Sequence, residues 1–171
     1  MTIEEAIKTA IQYENKVHET YVAAAKRADD ATAKKVFTTL ADEEHGHITY
    51  LESRLIEWQK DGCLSGEKLR TVLPSAERIK AGVKLLRSQV SRRKGNHAAE
   101  LDSLRQALAA EDETSTFYRR MVGELPADGQ DLFSRFLDIE DGHAAVVQAE
   151  IDNVNQMGFW FDLKEFDLEL G

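Results

Sequence analysis

Two short patterns in this 171-residue chain pair side chains able to bind a metal: Glu44 and His47 within EEHGH, and Glu140 and His143 within IEDGH. Glutamate and histidine three positions apart lie one helical turn apart and can reach the same ion. Each pair interrupts an apolar stripe. Phe37, Leu40, Glu44, His47, Leu51, Leu55 and Trp58 share one helix face, while Asp42 and Glu52 fall on the wet side. Phe133, Phe136, Glu140, His143, Val147, Ile151 and Val154 share another, and a shift of 96 residues superposes the two stripes.

The repeat extends upstream. Ile7, Ile11, Glu14 and Tyr21 form one helix face, and Leu104, Leu108, Glu111 and Tyr118 form its counterpart. Glu14 precedes Glu44 by 30 residues and Glu111 precedes Glu140 by 29, so each carboxylate sits near the middle of its helix. Antiparallel packing then brings all six groups to one level. Four carboxylates driven into an apolar seam would repel one another and resist desolvation. Two divalent cations balance their charge, and two neutral imidazoles complete the set. One Glu from each of two helices plus Glu-x-x-His from each of the other two is the ligand plan of di-iron carboxylate bundles. These donors suit iron or manganese, and zinc accepts them as well.

The elements that must position these groups follow from the scarcity of breakers: only two prolines and ten glycines occur. The pattern predicts an all-α protein, a four-helix bundle of two antiparallel hairpins. Its helices run from about Thr2 to Asp29, Ala31 to Lys60, Asn96 or His97 to before Pro126, and Asp128 to Gly158, with Thr2 and Glu5 forming a capping box. Residues 62–96 form a long connector carrying a short helix after Ser75, with Ile79, Val83, Leu86 and Val90 on one face. Residues 158–171 form a tail. The whole chain, 1–171, reads as one domain. The formal net charge of -9 argues against nucleic-acid binding. No run of 18 apolar residues occurs, and the start, MTIEEAIKTA, is too polar for a signal peptide, so a cytoplasmic protein is expected. Cys63 is the only cysteine, which excludes an intrachain disulfide and a four-cysteine metal site within the chain.

Glu14, EEHGH, Glu111 and IEDGH together resemble the ferritin-like di-iron superfamily, and within it the rubrerythrin-like proteins. The likeness covers nearly the whole chain, and the tail MGFWFDLKEFDLE is similar to the end of many such chains. The resemblance implies a ferritin-like bundle in which Glu44 and Glu140 bridge two irons. Glu14 with His47, and Glu111 with His143, would be terminal ligands, and Tyr21 and Tyr118 would donate hydrogen bonds to ligating groups. It implies an oxidoreductase that reduces hydrogen peroxide or oxygen. Since the chain lacks the rubredoxin-like four-cysteine site, electrons would come from a separate donor such as a rubredoxin-like protein. Family peroxidases commonly carry a further glutamate one turn after the third-helix Glu. Thr114 stands there, and Val17 in the matching slot of the first helix. The remaining set equally resembles bacterioferritin-type ferroxidase centres, so iron oxidation and storage or handling is a second expectation. A non-enzymatic, metal-stabilised bundle that binds a partner is a third.

His18, one turn after Glu14, is a candidate seventh ligand beside a plainer reading as a seam-edge residue. His45 reads as a surface residue and His97 as a helix cap. Phe159, Trp160 and Phe161 read as a cover over one bundle end, with a subunit contact as the alternative. Residues 78–94 hold seven basic and no acidic side chains, read as a solvated face offsetting an acidic body. A homodimer is expected. The long connector also allows hairpins to exchange between chains, which would build one site from both.

Overall fold

The computed structural model describes residues 1–89, 96–158 and 160–161. Five helices and no strand occur among them: α1 (Ile3–Arg27), α2 (Ala31–Asp61), α3 (Ala76–Gln89), α4 (Ala98–Glu124) and α5 (Ala127–Met157). Val90, Phe159 and residues 162–171 lie outside the described residues, as does the side chain of Leu86.

Local chemistry sets the helix ends. Thr2 and Glu5 close a reciprocal capping box, with Thr2 N donating to Glu5 Oε2 at 2.8 Å and Glu5 N donating to Thr2 Oγ1 at 3.2 Å. Asp30 caps α2 by accepting from the backbone N–H groups of Thr32 and Ala33. α2 and α5 both stop at a left-handed glycine, Gly62 at φ 65° and Gly158 at φ 74°, a conformation that costs glycine little. His97 stands at the N-cap of α4, as expected, but its side chain makes no cap bond; Nε2 instead donates to the Gly158 carbonyl at 3.1 Å, tying the start of α4 to the end of α5.

α1 packs along α2 and α4 along α5, each pair joined by a short link. α1 also packs on α4, joining the hairpins, and α3 lies on α5. α2 and α5 meet through large side chains, among them Tyr50 against Phe136. Ile79 and Val83 of α3 are buried as the periodicity predicts. Trp160 and Phe161 pack into the core, with the Trp160 ring edge-on to Phe37. None of the described helices is long and apolar enough to cross a membrane.

The core is split. One apolar cluster gathers around Tyr21, Phe37, Leu40, Leu104, Val147 and Phe161. The other gathers around Ile7, Leu51, Tyr118, Phe133 and Phe136. Between them lie six polar side chains that no bundle needs for packing.

Candidate metal centre

Those six are Glu14, Glu44, His47, Glu111, Glu140 and His143, each at most 1% exposed. α1 and α4 contribute one carboxylate each, while α2 and α5 contribute one carboxylate and one imidazole each. The structure brings together the whole set singled out in the sequence. Burial follows from register: each group occupies the inward position of a stripe whose flanking turns are apolar, so the helix cannot bury the stripe and leave the polar group in water.

The two histidine rings lie nearly parallel, centroids 5.2 Å apart. His47 Nδ1 lies 3.1 Å from Glu14 Oε2, 3.3 Å from Glu44 Oε2 and 3.2 Å from Glu140 Oε1. His143 Nδ1 lies 2.7 Å from Glu44 Oε1, 3.8 Å from Glu111 Oε1 and 3.9 Å from Glu140 Oε2. Glu44 and Glu140 thus each turn one oxygen toward each histidine, whereas Glu14 lies beside His47 and Glu111 beside His143. The braces cross between hairpins: the Tyr21 hydroxyl of α1 donates to Glu111 of α4, and the Tyr118 hydroxyl of α4 donates to Glu14 of α1.

Protons alone satisfy this cluster poorly. One Nδ1–H cannot serve three surrounding carboxylate oxygens. Glu44 Oε2, Glu111 Oε2 and both oxygens of Glu140 have no hydrogen-bond donor. A buried unsatisfied group costs about 1–3 kcal/mol, and more when charged, so four such oxygens in one dry layer suit a bound cation. Glu44, His47, Glu140 and His143 can each offer a ligand atom, all within 4.8 Å of one another, and this group could hold a metal ion.

The electrostatics agree. Burial, and then the charges of Glu140 and Glu44, push the carboxyls of Glu14 and Glu111 well above the ordinary range. Burial would also raise Glu44, but the positive charges of His47 and His143 overcome it and hold Glu44 well below. Burial disfavours charged imidazoles. The Glu44 carboxylate nevertheless leads in raising His47 well above its usual value and His143 to about 10. Burial, then the neighbouring carboxylates, keep Tyr21 and Tyr118 neutral and able to donate. Without metal, bound protons supply the positive charge that cations would otherwise bring.

Comparisons with protein-family models, curated proteins and solved structures find no match to this chain. The site's chemistry therefore stands on its own geometry.

The remaining candidates fall outside the cluster. His18 is half-buried beside His45 of α2, ring centroids 5.8 Å apart, and is not in the four-residue ligand group. His45 is exposed, as is Cys63. Thr114 is fully buried and turns its hydroxyl back to the Ala110 carbonyl at 3.0 Å, and Val17 is buried apolar. Sequence reasoning passed over Glu43. It sits at the edge of the cluster, Oε2 3.8 Å from His143 Nε2, and accepts bonds from the Thr71 hydroxyl and the Val72 N–H. Its place next to Glu44 was visible, but its partners belong to a connector whose path no periodicity predicts.

Proposed function

We propose that this protein is a rubrerythrin-like member of the ferritin-like superfamily, with a di-iron carboxylate centre that reduces hydrogen peroxide. The observation that carries this reading is the arrangement of Glu44 and Glu140, each turning its two oxygens toward different histidines. A carboxylate so placed suits two ions at once. Glu14 with His47 and Glu111 with His143 would complete one ion each, giving two cations for four carboxylates.

When bound, an iron pair supplies two electrons, enough to reduce the O–O bond of peroxide to water with two protons. The residues of the chain do the rest. Tyr21 and Tyr118 hold Glu111 and Glu14 from across the hairpin interface, which fixes the terminal carboxylates against rotation. The two apolar clusters exclude bulk water above and below the layer, which strengthens every charge interaction inside it. The chain has a single exposed cysteine, so the reducing electrons would come from a separate donor, such as a rubredoxin-like protein.

The test is an anaerobic optical titration of the Fe(II)-loaded protein with peroxide and, separately, with oxygen. Rapid oxidation by peroxide, with turnover on adding a reduced donor, is the expected result. Oxidation by oxygen alone, with peroxide inert, defeats the peroxidase reading. The buried Thr114, whose hydroxyl donates to the Ala110 carbonyl, favours a second reading, since α4 supplies no further carboxylate one turn after Glu111. In that reading the site oxidises Fe(II) for storage or transfer. Iron content measured against particle mass separates the two, because storage requires far more than two irons per chain.

A further inference from the structure

The internal repeat predicts two equivalent halves of the site, yet their surroundings differ. The shift of 96 residues that superposes Glu44 on Glu140 and His47 on His143 places Ile139 where Glu43 stands. Ile139 is a buried core residue. Glu43 is half-buried and ionisable. The Thr71 hydroxyl and the Val72 N–H, at 3.3 Å from Oε1, hold it from the connector. Its Oε2 lies 3.8 Å from His143 Nε2, a buried ring nitrogen with no hydrogen-bond partner. His47 Nε2 is likewise buried and without one, and the edge of its ring environment is Phe136. The neighbouring glycines repeat the contrast. A Cβ on Gly142 would meet the Pro74 carbonyl at 3.4 Å, whereas Gly46 has open space. At these two positions the connector contacts the His143 half and not its counterpart.

A histidine that ligates through one ring nitrogen is oriented and made more basic by an acceptor at the other. Resting on the di-metal reading above, we infer that Glu43 is a positioning residue for His143, and that the two metal positions are inequivalent, the His143 position being the tighter. Metal binding at Nδ1 leaves the imidazole proton on Nε2, where a shift of less than 1 Å brings it within hydrogen-bond reach of Glu43. Among the described residues, none does this for His47.

The experiment is an anaerobic titration of the full chain with Co(II), followed by calorimetry and by the visible bands of the bound ion. The unsubstituted chain should bind in two resolved steps. Glu43→Gln should weaken the tighter step about 10–100-fold and leave the other unchanged. His143→Ala should remove the step that Glu43→Gln weakens, and Glu43→Gln should then have no further effect. Thr71→Ala, which only loosens the hold on Glu43, should shift the same step by a smaller factor and serves if Glu43→Gln does not fold. Two unchanged steps, or two equally weakened ones, in both Glu43→Gln and Thr71→Ala overturn the inference and leave the di-metal reading standing. A folded, unsubstituted chain that binds no metal overturns both.

Discussion

The α1–α2 and α4–α5 hairpins place the same groups at the same level but achieve it in different ways. α1 and α2 start on side-chain caps, Thr2 with Glu5 and Asp30, whereas α4 and α5 start without one. α5 carries the connector and α3 on its outer side, and the end of α5 is tied back to His97. Tyr21 and Tyr118 nevertheless make reciprocal bonds, and the two Glu-x-x-His pairs meet ring to ring. The lesson is that the ligand layer is tightly constrained while its supports are free to differ. Capping needs only some oxygen near the first turn, but a group that could hold a metal ion needs particular atoms at particular distances.

The largest break in that equivalence should come from the carboxylates that face both histidines. Glu44→Ala and Glu140→Ala should each abolish paired metal binding, whereas Glu14→Ala and Glu111→Ala should each lose one ion and keep the other. Elemental analysis of the reconstituted variants checks this. Equal losses from all four would deny any distinction between shared and terminal groups.

Metal removal comes next. Raised pKa values mean that the folded, metal-free cluster binds protons more tightly than the unfolded chain does. That contribution is fully present below the unfolded values and is lost as pH rises through the folded ones. For His143 the window runs from 6.5 to about 10, and Glu14 and Glu111 act with the same sign. Glu44, held low, acts oppositely and withdraws its contribution only in acid. Metal displaces these protons. The gap in Tm between loaded and metal-free protein should therefore widen from pH 6.5 to 10. A constant gap in thermal scans would contradict the proton-for-cation exchange.

The tyrosine braces offer a finer comparison. Tyr21→Phe and Tyr118→Phe each strip one buried carboxylate oxygen of its tyrosine donor, costing about 1–3 kcal/mol in urea denaturation. Reciprocal bonding predicts nearly equal costs, and a large difference would show that one hairpin dominates the layer. The smallest effect belongs to the caps, since Asp30→Ala should cost about 1 kcal/mol by the same measurement.

Much of this was legible in the sequence because the relevant signals are periodic. The helices ended within a residue or two of their expected bounds, since Gly62, Gly158, Pro126 and the Thr2–Glu5 box act through local backbone chemistry. The six inward polar groups were legible because they break apolar stripes and because the chain repeats. What was missed depends on tertiary encounters. Arg54 is buried, reaching Ser65, Glu57 and Glu67 and lying over the Tyr50 ring, and nothing in the stripe distinguishes it from a solvated arginine. Glu150 and Asn153 are buried near the Trp160–Phe161 end, with Glu150 accepting from the Phe161 N–H. Both depend on where a non-helical segment passes, as Glu43 does on Thr71 and Val72.

The claim beneath all of this is that cations, not packing, hold six polar side chains in a dry layer. Counting bound metal per folded chain, by elemental analysis after anaerobic reconstitution and removal of loose ions, tests it most directly. The account predicts two ions per chain, retained by the unsubstituted protein and lost by Glu44→Ala. A natively folded protein that retains none would contradict it.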